Sequence, residues 1–324
     1  MSYTAYFDSG TTNSRLYLLN EKALCVYRSR CAVGAKDSAK AKNGEVQTKA
    51  LHELYTGALE QMCLTDADVE LVCISGNVTS RYGVHEVEHL VLPQSAESFA
   101  KGLFTFYEDK YFRRDITLVP GVKQLCDDFE LTGLARGEEI ELFGMLDFLR
   151  HKCAGRTVAV AMPGSHTHIA YLRDNAIEGM CSNITGEIFH ALKEETVLAP
   201  VLETDGPLCA EWVRKGVSAL NRYGFTRALY LTHTMRILER YTPEERRSFA
   251  EGVIFGDIAQ SVDVFTDKLF PDCDTLLIAA EQEIGELYKT VFSMCSTFKT
   301  VDLLPPSEEP WALMGFRKLF GKGV

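Results

Sequence analysis

Short apolar runs at residues 4–7, 16–19 and 24–27 are separated by a polar turn and by Asn20-Glu21-Lys22, a spacing that predicts three strands joined by tight connections. Helical periodicity over 47–63 and an apolar run at 71–75 add a helix and a buried strand, so the chain opens strand, strand, strand, helix, strand. From 76 to 128 the pattern is irregular, with short strands expected near Leu90 and Thr117, before helical spacing resumes at 137–149.

The opening pattern then recurs. Residues 157–162 form a β-rich run that ends in a Gly/hydroxyl turn and is followed by two more strand-like pieces. Sliding the chain by 154 residues places Gly10 on Gly164, Thr11 on Ser165, Tyr17 on Tyr171 and Leu18 on Leu172, with Asn20 on Asp174, which hints at an internal duplication. Beyond Cys181 the pattern is mainly helical, at 187–198, 208–220, 225–240 and 243–265. The last of these opens on Thr242 as N-cap, Pro243 at the first position and Glu245 completing a capping box. A strand, helix, strand set is expected at 275–279, 284–294 and 298–303, and two domains at 1–150 and 151–324.

With 324 residues, 46% of them hydrophobic, the chain can bury a core of two-domain size. Its 34 Lys and Arg against 45 Asp and Glu give a net charge of −11, which argues against nucleic acid or an anionic membrane as partner. An anionic ligand must therefore meet a local positive site. The ten cysteines are scattered without a C-x-x-C pair, the pattern of reduced thiols. The sequence enters a strand-like segment after two residues with no leader pattern, and no apolar run reaches membrane-spanning length, so a cytoplasmic enzyme or binding protein is expected.

A Gly followed by hydroxyl residues between two paired strands exposes backbone N–H groups and hydroxyls around a small concavity that suits phosphate oxygens. Gly10-Thr11-Thr12 is such a turn, and Asp8 just before it can hold Mg²⁺ beside those oxygens. Pro163-Gly164-Ser165-His166-Thr167 repeats the donors without the acid. One Gly-Thr hairpin is common. Two, each opening one half of a repeated pattern, point to a nucleotide held between domains.

The motifs resemble those of the sugar-kinase, heat-shock-protein and actin superfamily. More narrowly, Asp8-Ser9-Gly10-Thr11-Thr12-Asn13-Ser14-Arg15, Pro120-Gly121-Val122, Arg136-Gly137-Glu138-Glu139 before Leu142-Phe143-Gly144, Met162-Pro163-Gly164-Ser165-His166 and Thr185-Gly186-Glu187 resemble the successive motifs of the 2-dehydro-3-deoxygalactonokinase family. The resemblance implies an α/β, two-domain actin-like ATPase fold with a duplicated ribonuclease H-like βββαβα core and extra helices in the second domain. It also implies transfer of phosphate from ATP, with Mg²⁺, to the C6 hydroxyl of 2-dehydro-3-deoxygalactonate.

On that resemblance Gly10, Thr11 and Thr12 cradle the terminal phosphates, Asp8 orients Mg²⁺, Gly164, Ser165 and His166 form the second phosphate loop, and Gly186 lies near the nucleotide. Glu138 or Glu139 takes the place of the base, with Glu138 preferred and Asp128 as rival; a helix N-terminus is expected to keep that carboxylate ionised. As plain chemistry both acids would equally serve as first-turn helix stabilisers. The substrate carboxylate calls for arginine's planar fork, and Arg15, Arg81 and Arg136 each lie beside a motif, while Asn77 is placed to meet sugar hydroxyls. Ser9, His168 with Ile169, and Ala279-Ala280-Glu281 stand where the family usually has Trp, Lys with Trp, and a Gly-Ser pair for the adenosine. A non-catalytic sugar-acid or nucleotide sensor and a kinase of another sugar are the alternatives, and homo-oligomer formation is left open.

Other patterns carry less. His85-Glu86-Val87-Glu88-His89 fits H-E-x-x-H, but Gly83 and the extended run into Pro93 oppose the helix that zinc chemistry needs. His166, His168 and Cys181 have no second pair at ligand spacing. Lys36, Lys40, Lys42 and Lys49, in an Ala/Gly-rich loop, read as a solvated face or a mobile lid, and the tail 311–324 as a short helix on the body or on a partner subunit.

Overall fold

The computed structural model describes residues 2–321; the expected second domain and tail helix were drawn to Val324 and so extend past the described residues. Among those residues one compact unit comprises 2–151, 175–178 and 307–321, and the other 152–174 and 179–306.

The first unit runs β1 (Tyr3–Ser9), β2 (Ser14–Leu19), β3 (Cys25–Cys31), α1 (Ala35–Ala41), α2 (Glu45–Gln61), β4 (Val69–Gly76), β5 (Leu90–Val91), β6 (Gln94–Ser95), α3 (Ala96–Ala100), β7 (Phe104–Glu108), β8 (Arg114–Leu118), β9 (Val122–Gln124), β10 (Gly133–Ala135) and α4 (Glu139–Cys153). Its main sheet has the order β3-β2-β1-β4-β8-β7. The first two strands pair antiparallel with Ala5 opposite Leu18 and Asp8 opposite Arg15, while β4 lies parallel on the other side of β1. Successive side chains on a strand point to opposite faces. One face therefore carries Ala5, Phe7, Leu16 and Leu18, buried with Val72, Ile74 and the Leu51, Tyr55 and Ala58 stripe of α2.

The opposite face carries Tyr6 and Asp8 beside Tyr17 and Arg15. Phe316 packs against Tyr6 there in a tilted pair, with ring centroids 4.8 Å apart. Phe316 belongs to the final helix, α11 (Trp311–Phe320), so the tail helix packs on the body of its own chain. It crosses α4 at close quarters: a Cβ on Gly315 would lie well inside contact distance of the Ile140 carbonyl, and one on Gly144 would sit 2.3 Å from that of Trp311.

The second unit runs β11 (Val158–Met162), β12 (Thr167–Arg173), β13 (Ala176–Asn183), α5 (Thr185–Glu195), α6 (Ala199–Leu202), α7 (Ala210–Tyr223), α8 (Phe225–Ile237), α9 (Pro243–Leu269), β14 (Thr275–Ile278), α10 (Gln282–Phe292) and β15 (Thr300–Leu303). Its strands follow the order β15-β14-β11-β12-β13, which repeats β8-β4-β1-β2-β3, with β11 antiparallel to β12 and parallel to β14, and β14 parallel to β15, as β1, β2, β4 and β8 are paired. The extra helices α5–α9 enter between β13 and β14, the place that α2 holds in the first unit. Thr242 caps α9 and Glu245 returns the bond to its backbone, as the sequence predicts.

The duplication has one register break. Ala5 faces Leu18 and Ala159 faces Tyr171, so Tyr171 is the structural counterpart of Leu18 rather than of Tyr17. The second turn is one residue shorter than the first, and a constant slide of the sequence holds only up to it.

Candidate active site

The first turn is a four-residue connection between Ser9 and Ser14, closed by the Gly10 N–H donating to the Asn13 carbonyl at 2.9 Å. Ser9 is fully buried and accepts from Gln47 Nε2 at 2.7 Å. The lysine-rich stretch is not a loop: residues 35–41 form α1, whose head donates from Ala35 N to the Gly10 carbonyl and from Lys36 N to that of Thr11. Alternation of small and polar residues hides a short helix held mainly by these contacts. Thr12 and Asn13 stay exposed, and Asn77 Nδ2 reaches Thr11 Oγ1 at 3.3 Å.

Two glycines bring distant segments onto this turn. Gly76, at φ +95°, lies where a Cβ would sit 2.1 Å from the Ser9 carbonyl, and Gly137, at φ +113°, lies where one would be 3.3 Å from Gly76 Cα. Only glycine accepts both that backbone region and that spacing. Asp8, Asn77 and Glu138, each next to one member of this stack, are thereby gathered in one place.

The electrostatics are dominated by acids. Arg15 Nη1 donates to Asp8 Oδ2 at 2.8 Å, the arginine side chain being 53% exposed and the aspartate 16%. Glu138 precedes the first turn of α4, and its carbonyl accepts from Leu142 N. Glu139 is buried; its Oε2 accepts from Gly137 N at 2.8 Å, and its Oε1 has no hydrogen-bond partner. Burial raises the proton affinity of both, with repulsion from Asp8 adding at Glu138 and from Glu138 at Glu139. The helix terminus thus does not keep this pair firmly ionised; desolvation outweighs it. Glu141, pushed up to about 8 by burial and then by Asp8 and Glu138, belongs to the same cluster. It went unread in the sequence, although three residues after Glu138 is the spacing of one helix face.

The other first-unit candidates have separate settings. Arg136 donates to the Thr79 carbonyl at 2.6 Å, to Thr79 Oγ1, to the Val87 carbonyl and to the His89 ring, so its fork is taken up within the fold. Arg81 is exposed, its guanidinium 5.7 Å from the Tyr82 ring centroid. Asp128 caps the single helical turn at Phe129–Leu131 by accepting from Glu130 N. The stretch 85–89 has no helix, and His85 stacks on Phe104 and Phe106.

In the second unit the tip Gly164-Ser165-His166 is exposed and anchored from below. Glu187 N donates to the Ser165 carbonyl at 2.8 Å, and a Cβ on Gly186 would be 2.0 Å from the Gly164 carbonyl. Thr167 and Thr185 share a hydrogen bond at 2.6 Å, and His166 Nε2 lies 3.4 Å from Glu187 Oε1. His168 is buried against Ser182, and burial pushes it down to about 4. Ala279 N donates to the Ala161 carbonyl, and Glu281 leads into α10. Among the described residues no group of three or more His, Cys, Asp or Glu is arranged to cage a metal ion.

Two units with the same βββαβ strand order, each opening on a hydroxyl-bearing hairpin turn, define an actin-like ATPase fold with a duplicated ribonuclease H-like core. The sequence profile of the 2-keto-3-deoxy-galactonokinase family matches residues 8–302. The chain belongs to that family. It is 30% identical over 205 residues to the probable 2-dehydro-3-deoxygalactonokinase DgoK1 of Rhizobium meliloti (strain 1021), an alignment that spans 63% of this chain and 60% of the length of that curated relative. A crystal structure from Sinorhizobium meliloti, provisionally named a 2-dehydro-3-deoxygalactonokinase, superposes with a TM-score of 0.75 at 21% identity over 99% of this chain and 98% of that one, a likeness of fold.

Proposed function

We propose that the protein is an ATP-dependent sugar-acid kinase that phosphorylates the C6 hydroxyl of 2-dehydro-3-deoxygalactonate. The reading is carried by the glycine stack that gathers Asp8, Asn77 and Glu138 at the first turn of a chain belonging to this family.

Phosphoryl transfer asks a protein for positioning and charge neutralisation more than for covalent chemistry. Thr11 and Thr12 supply donors to the terminal phosphate over a turn that the Gly10 N–H closes on Asn13, and Gly164, Ser165 and His166 form a second phosphate loop that Gly186 keeps seated. Mg²⁺ characteristically takes one or two carboxylates and completes its shell with phosphate and water. A single aspartate at a strand end beside the turn fits that demand, and Asp8 would hold the ion, which neutralises charge on the transferred group. Glu138 accepts the hydroxyl proton, and its raised proton affinity brings it closer to neutral pH, where a general base works best. Glu139 acts behind it by fixing the Gly137 turn. Asn77 meets sugar hydroxyls and Arg15 the substrate carboxylate; Arg81 is a solvent-side alternative, and Arg136 serves the site through the Thr79 and Val87 segments it braces.

The test is ADP release with Mg²⁺-ATP across a panel of sugar acids and neutral sugars. Selective turnover of 2-dehydro-3-deoxygalactonate, lost in Asp8→Asn, is expected. ATP binding without turnover of any acid would replace the kinase by a sensor on the same fold.

A further inference from the structure

Asp8 and Arg15 are direct cross-strand partners, so their side chains leave the same face of the sheet. They form an ion pair at 2.8 Å in which the two ends differ: the aspartate is mostly covered, whereas the arginine side chain is half exposed on a long stem. Arg15 also feels the charge of Glu141, and the acids around it outnumber it. Of the three arginines beside the motifs, Arg136 is committed to Thr79, Val87 and His89, and Arg81 lies over a tyrosine ring. The cation at this turn is thus also the counter-ion of the acid proposed to hold the metal.

We propose that Arg15 is an exchange residue: its guanidinium competes with a divalent cation for Asp8 and, when displaced, binds the carboxylate of the sugar acid. The inference rests on the kinase reading of this site and adds a coupling to it. Arg15 meets Asp8 through Nη1 alone, and closing its end-on fork of both Nη groups on a second carboxylate takes that nitrogen from Asp8. Whatever takes Asp8 away from Arg15 therefore increases the affinity for the sugar acid, and by linkage the sugar acid increases the affinity for the metal-nucleotide complex by the same factor. The two substrates bind synergistically because one side chain changes partners, with no movement of the backbone required.

Two binding measurements test the exchange without turnover. In calorimetry with 2-dehydro-3-deoxygalactonate alone, free of nucleotide and metal, Asp8→Asn is expected to bind about two- to fivefold more tightly than wild type, the range set by a half-exposed ion pair, while Arg15→Gln binds more weakly than either. In Mn²⁺ titrations followed by paramagnetic relaxation, with a non-hydrolysable ATP analogue present, Arg15→Gln is expected to bind Mn²⁺ about two- to fivefold more tightly than wild type. Equal or weaker sugar-acid binding by Asp8→Asn, or unchanged Mn²⁺ affinity in Arg15→Gln, overturns the exchange even if the kinase reading stands. If no variant binds this sugar acid, the substrate assignment fails, and the Mn²⁺ titration alone then decides the competition. Absence of Mn²⁺ binding to both proteins removes Asp8 from the metal and overturns the exchange.

Discussion

Glu138, Glu139 and Glu141 give the site a proton inventory that a single catalytic acid would not. Each is pushed above the usual carboxylate range, mainly by burial, with repulsion from Asp8 adding at Glu138 and Glu141 and from Glu138 at Glu139 and Glu141. Glu139, buried and repelled by Glu138, holds its proton more tightly than Glu138 does, so it is neutral where Glu138 titrates and Glu139→Gln should leave the acid limb of the pH profile of kcat/KM in place; a limb that moves to lower pH would mean that Glu139 is the first of the two to ionise. Glu138→Gln should depress kcat far more than it alters KM. A carboxyl that binds its proton more tightly folded than unfolded contributes stability that is complete below its unfolded value and lost as pH rises through the folded one. For Glu141 that window runs from 4.5 to about 8. Urea midpoints should fall across it, and Glu141→Gln should flatten the fall.

At the scale of elements, close backbone approach does the positioning. Gly76→Ala would combine a left-handed backbone with a collision against the Ser9 carbonyl, and should cost about 2–5 kcal/mol, read as a lower urea midpoint. Gly186→Ala would push α5 off the second turn; nucleotide affinity, followed by fluorescence titration, should drop by an order of magnitude or more while far-UV circular dichroism barely changes. Strands and amphipathic helices were readable because their side-chain period reports a buried face, and the α9 cap was readable because its chemistry is local. The head of α1 was not, since its ordering comes from carbonyls of Gly10 and Thr11 distant in sequence. The same holds for the site. Its turns and its acids at 138 and 139 stood in recognisable motifs, whereas the commitment of Arg136 to Thr79 and His89 and the place of Glu141 beside Asp8 arise only on folding.

For the molecule as a whole, the duplicated strand order was legible as a faint repeat, but a turn shortened by one residue displaced three of the five matching positions. Less legible was that the first unit draws on both halves of the chain. Removing residues from 307 onward should expose Tyr6 and the α4 face that Gly315 crosses, lower the melting temperature and increase binding of a hydrophobic dye; an unchanged transition would mean that α11 adds nothing to the unit. The arrangement also orders events during translation. At about 5–20 residues per second, the ribosome takes on the order of ten seconds or more between finishing α4 and delivering α11. Through that interval the face of Tyr6 and α4 that the last helix covers is without its cover on the nascent first unit.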